Sequence, residues 1–134
     1  MRENVEVVRR AIAAGFVSQP PDAETLCEVL DPDHVLTTNW GVERTEHHGV
    51  QGLLDALAET AAAWDPWQQE VERIIDAGQD CVVALLRLNA RGRESGVPVQ
   101  FQWAMVVTLR GGRMATSLVF LDQGQALKAV GLEE

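Results

Sequence analysis

Two adjacent histidines, His47 and His48, stand before Gly49 in a polar stretch, GVERTEHHG. An imidazole titrates near neutral pH, so this pair is suited to general acid/base work; the plainer reading is a solvated loop. Glu43 and Glu46 share the stretch and His34 opens the segment before it, all three readable as surface groups. Arg87 interrupts the apolar run CVVALLRLNA, where its guanidinium can pair with a carboxylate such as Glu72 or with an anionic substrate. Trp40, Trp64, Trp67 and Trp103 flank or line scaffold segments, and rings of that size make flat walls for a hydrophobic ligand. Neighbouring histidines cannot present the same-face geometry of an i, i+4 pair, and Cys27 and Cys81 have no ligand spacing to each other or to the histidines. No metal is expected and no cofactor is implied.

These residues need a frame. Val5, Val8, Ile12 and Phe16 follow helical spacing until Pro20-Pro21. Asp22 caps a second, short helix with Ala23, Leu26, Cys27 and Leu30 as its buried stripe, closed by Asp31-Pro32. His34 to Trp40 suits a short strand, and GVERTEHHG a loop. Val50, Leu53, Leu54, Leu57, Ala58, Ala61 and Trp64 form a third helical stripe, stopped at Asp65-Pro66. Turn signals at DAGQD, RGRESG and RGGR then divide four strands, Trp67 to Ile75, Cys81 to Ala90, Val97 to Arg110 and Arg113 to Leu121, an antiparallel meander with Gly111-Gly112 as a tight hairpin turn. Asp122 and Gln125 have capping-box spacing before a closing helix from Gln123 to about Val130.

The strand from Val97 to Leu109 has one wholly apolar face, with Phe101, Trp103 and Met105 expected to point inward. On the last strand Thr116, Leu118, Phe120 and then Asp122 share a face, read as the inner one. Both faces of CVVALLRLNA are largely apolar. One packs on the helices; the other needs a cover, and a homodimer through the sheet is expected.

Composition limits the rest. The 134 residues suit one domain, 1–134, with a single core. Twenty acidic against eleven basic side chains give a net charge of −9, which repels phosphate backbones and anionic lipid, so neither nucleic acid nor membrane is expected as a partner. Both cysteines read as buried free thiols. With no signal peptide pattern and no apolar run long enough to span a bilayer, a cytoplasmic chain is expected.

The segments ENVEVVRRAIAAGF, LCEVLDPDHVLTTNW, HHGVQGLLDAL, IIDAGQDCVVALLRL and LVFLDQGQALKAVGL, in this order, resemble the SnoaL-like polyketide cyclase family of the superfamily named after nuclear transport factor two. The resemblance implies an α+β fold, a cone-shaped barrel of curved antiparallel sheet wrapped around three N-terminal helices, with a short C-terminal helix and a deep pocket for a small hydrophobic molecule. It also implies dimerisation through the sheet. Relatives include ketosteroid isomerase, scytalone dehydratase and limonene epoxide hydrolase, which use general acid/base side chains in the cone. The isomerase carboxylate position falls on Thr38 or Asn39, neither of them a base. The late Asp of the cyclases matches Asp122, which the capping-box reading also claims. On this resemblance Asp122 is the candidate acid/base, with His48 or His47 assisting and Arg87 or Asn39 orienting an oxygen. Trp40, Trp64, Trp67, Phe101, Trp103, Met105, Thr116 and Phe120 are the remaining ligand-binding candidates. The chain contains no Tyr, so the phenolic donors of the isomerase and the dehydratase have no counterpart. A non-catalytic ligand-binding or dimerisation module of the same fold is the alternative.

Overall fold

A computed structural model describes residues 2–38 and 44–132, the Arg2 side chain excepted. Asn39, Trp40 and Glu43 lie outside the described residues. Helix α1 (Arg2–Ile12) runs into a π-helical turn, Ala13–Val17, and Gly15 there packs against Leu26 and Leu57. Helix α2 (Ala23–Val29) is capped by Asp22, whose carboxylate accepts from the Thr25 amide at 3.2 Å and the Thr25 hydroxyl at 2.7 Å. Those bonds hold its pKa below the usual value.

The second helix is shorter than its spacing suggests. Leu26 and Val29 are its buried residues, Leu30 already starts strand β1 (Leu30–Thr38), and Cys27 is exposed rather than buried. Asp31-Pro32 does not close an element; it lies inside β1, where the pairing register is irregular between Leu30 and Val35. Such an irregularity tolerates a residue without an N–H. Part of the expected loop is strand β2 (Thr45–His48), followed by α3 (Gly49–Ala63). The remaining strands are β3 (Trp64–Gly78), β4 (Cys81–Gly92), β5 (Pro98–Arg110) and β6 (Arg113–Phe120), with α4 (Gln123–Ala129) last. The β5–β6 turn places Gly111 and Gly112 at φ of 61° and 79°, the left-handed pair that a two-residue hairpin turn requires.

The sheet has the order β2-β1-β6-β5-β4-β3 and is open at both edges. It is mixed, not wholly antiparallel: β1 and β6 run parallel, while every other neighbouring pair is antiparallel. Helix α3 carries the chain from β2 at one edge to β3 at the other, and the meander then returns β6 to the side of β1. The inner face (Val82, Ala84, Leu86, Trp103, Met105, Val107) packs on Val8, Ile12, Leu26, Leu53 and Leu57 from the helices.

The outer face divides in two. Val83, Leu85 and Ala104 are covered by Ala126 and Leu127 of α4, together with Phe120 and Val106. The apolar half is therefore covered in part by the chain itself. The other half is polar. Arg87 pairs with Glu70 at 3.0 Å rather than with Glu72, and Asn89 bonds both Glu70 and Gln100. Glu72 accepts from Gln123 and Gln102, and these bonds, aided by the Arg87 charge, hold its pKa below the usual value.

Candidate functional site

Between α3 and the inner face of the sheet lies a cavity of about 560 Å³. Its floor and walls combine Leu36 of β1, Leu53 and Leu57 of α3, Leu88 of β4, Trp103 of β5 and Val119 of β6. Phe16, from the π-helical turn, adds a ring whose centroid is 5.5 Å from that of Trp103, tilted by 55°. Trp64 and Phe101 also line it. This is a large apolar space with few polar atoms, as ligand sites commonly are.

Period two along β2 decides which histidine belongs to it. His47 is paired with Leu36, and directly opposed residues share a face, so both side chains enter the cavity. His48 points the other way, its Nε2 3.5 Å from the Glu46 carboxylate in an exposed pair. The adjacent histidines are thus split between cavity and solvent. Among the described residues Glu59 of α3, itself exposed, is the other ionisable side chain of the lining.

The neutral polar side chains are Thr38, Thr60 and Gln69; Gln102 also borders the space, but its amide bonds Glu72 on the outer face. Gln69 stands opposite Leu88 and is 8% exposed, its Oε1 accepting from Trp103 Nε1 at 3.0 Å. It was not a candidate from sequence, although the alternation Trp67, Gln69, Val71 puts an amide in an otherwise apolar inward series.

Several other candidates lie elsewhere. Asp122 is exposed and caps α4, its Oδ1 3.2 Å from the Gln125 amide, and it is not part of the cavity lining. The face assigned to it was inverted: Thr116 bonds Thr108 on the exposed outer surface, and Phe120 packs in the outer cluster with α4. The inward residues of β6 are instead Ser117 and Val119. Arg87 belongs to the outer polar network, too far around the sheet to orient a ligand inside. Met105 does point inward, but into the packed core, outside the cavity lining. Trp67 lines a second cavity of about 440 Å³ beside Pro20, Pro21 and Arg93, with Trp64 and Leu57 shared between the two. Among the described residues no three His, Cys, Asp or Glu side chains converge as a metal site, and no helix is long and apolar enough to cross a membrane.

The sequence profile of the SnoaL-like domain matches residues 8–117. The chain belongs to the SnoaL-like domain family. Solved SnoaL-like and related structures agree in fold. One, described as a SnoaL-like polyketide cyclase from Jannaschia sp. CCS1, is 19% identical, covers 99% of this chain and 94% of its own, and superposes with a TM-score of 0.77. An NTF2-like protein of Burkholderia thailandensis E264 is 18% identical over 96% of this chain and 98% of its own, with a TM-score of 0.77. TerC, co-crystallised with polyporic acid, is 17% identical over 96% and 98%, with a TM-score of 0.74. No curated protein matches the sequence. The SnoaL-like fold accounts for the cone: an open sheet wrapped over helices, with the cavity between them.

Proposed function

We propose that this SnoaL-like protein encloses a small, largely apolar ring molecule in the cavity under β5, and that His47 carries cyclase- or isomerase-type acid/base chemistry on it. The observation that carries the reading is the placement of His47, an imidazole turned into a 560 Å³ space walled by Phe16, Trp64, Phe101 and Trp103. That TerC, of similar fold, is co-crystallised with polyporic acid supports a small organic molecule as the ligand class here. A cytoplasmic location goes with this reading, because both cysteines remain free thiols.

The test begins with native mass spectrometry of the purified protein for a retained molecule, followed by turnover of that molecule by wild type and His47→Gln. Loss of turnover with retained binding is expected. Full turnover by His47→Gln would remove the histidine from the mechanism. A second reading, a non-catalytic carrier, is favoured by the scarcity of ionisable groups among the described residues of the lining, and binding with no turnover in wild type would establish it.

The homodimer is also carried as a proposal, now through the polar half of the sheet around Glu70, Arg87, Asn89 and Gln100. Light scattering that gives the 14.7 kDa protomer mass at micromolar concentration would exclude it.

A further inference from the structure

Gln69 offers the cavity a donor whose direction is fixed by chemistry. An indole N–H can only donate, so the Gln69 atom 3.0 Å from Trp103 Nε1 must be the carbonyl oxygen. The amide nitrogen, with two hydrogens, is therefore the other end of the group. Among the described residues it has no protein partner. It is not enclosed either: His34 Nδ1 and Arg87 Nε are the unpartnered side-chain atoms shut off from solvent-sized space, whereas Gln69 belongs to the cavity wall. Trp103 cannot swing to release it, being 1% exposed and packed against the tilted Phe16 ring.

A ligand that fills the cavity displaces water from this amide donor, and the loss is offset only where the ligand brings an acceptor to it. We propose, resting on the reading of this cavity as a ligand site, that Gln69 is a specificity residue held by Trp103, and that the cavity selects ring molecules carrying a neutral carbonyl-type oxygen at that point. The acceptor is neutral because, among the described residues, the lining brings no Lys or Arg to balance an anion, and the Glu59 carboxylate would repel one. Trp103 acts through Gln69 and is a positioning residue.

The probes are a matched pair, 9-fluorenone and fluorene, which differ by a carbonyl in place of a methylene. Their affinities are measured by titration calorimetry for wild type, Gln69→Leu, the near-isosteric Gln69→Glu, and Trp103→Phe. Wild type is expected to prefer fluorenone by roughly 3- to 10-fold, the span of one neutral hydrogen bond. Gln69→Leu and Gln69→Glu should abolish that preference while fluorene still binds, and Trp103→Phe should reduce it. The infrared carbonyl stretch of bound fluorenone should lie at lower wavenumber in wild type than in Gln69→Leu, a shift that a purely structural role would not produce. If Gln69→Leu does not fold, the Gln69→Glu result decides. Equal wild-type affinity for the two compounds, or an undiminished preference in either Gln69 variant, overturns the donor assignment and leaves the cavity reading standing. Failure of both compounds to bind wild type overturns both.

Discussion

Gly52 and His47 are in backbone contact: a Cβ placed on Gly52 would lie 2.7 Å from the His47 carbonyl carbon and 3.1 Å from its Cα. The first turn of α3 is thereby seated directly on β2, and the absence of a side chain at Gly52 is what lets the histidine face the cavity at that depth.

Gly52→Ala is therefore expected to push α3 away from β2. Overpacking of this kind costs about 1–3 kcal/mol, because backbone atoms rather than a flexible side-chain end must move. Urea denaturation reads the stability loss. The cavity should change too, so ligand affinity is expected to fall in the same variant. A Gly52→Ala protein as stable as wild type would show that the contact relaxes without cost.

The buried His34 makes stability depend on pH. It is 1% exposed, with Nε2 2.9 Å from Ser117 Oγ and Nδ1 enclosed without a partner. Burial pushes its pKa down from 6.5 to about 4, against the opposing effect of the Asp31 charge. The folded protein thus holds this imidazole neutral, while the unfolded chain takes up a proton near pH 6.5. Between those two values the unfolded state binds more protons, so the stabilising contribution is complete above pH 6.5 and is lost progressively as pH falls toward 4. The integrated loss is roughly 3 kcal/mol. Denaturation midpoints measured across that window should fall in wild type and flatten in His34→Gln; an equal slope in both would assign the effect to other groups.

Asp122 is expected to behave as a cap. Replacing it by Ala removes the bond from the Gln125 amide and should cost about 1 kcal/mol of stability. Ligand binding and turnover should stay at wild-type levels, as should those of Asp122→Asn, which keeps an acceptor. A large fall in turnover for a stably folded Asp122→Asn would return the residue to the mechanism.

The two thiols should react at different rates. Cys27 is exposed on α2, whereas Cys81 is partly buried at the start of β4 and burial raises its pKa. The raised pKa of Cys81 and its poorer access both slow its reaction, whereas Cys27 is open to reagent. Brief treatment with iodoacetamide followed by peptide mass spectrometry should label Cys27 first, and Cys81 substantially only in denaturant.

Local chemistry made much of this fold readable from the chain. The α3 stripe, the β5–β6 hairpin at Gly111-Gly112, the Asp22 and Asp122 caps and the inward set Phe101, Trp103 and Met105 each depend on residues a few positions apart, and periodicity reports such neighbours directly. The same closeness explains the errors. Leu30 continues the helical spacing of α2, but the helix ends at Val29 because β1 pairs with β6, a partner more than eighty residues away.

The candidate site was legible only in part. Sequence alone determined that His47 and His48 are the adjacent imidazoles, that the long strand has an apolar face, and that family membership implies a cone. Which face of each strand turns inward was decided by tertiary pairing: opposition to Leu36 sends His47 into the cavity and His48 to solvent, and docking of α4 places Phe120 and Asp122 on the far side of the sheet. Gln69 shows the reason most plainly. An amide in a strand acquires a fixed direction only when a donor thirty-four residues away, the Trp103 indole, takes its oxygen.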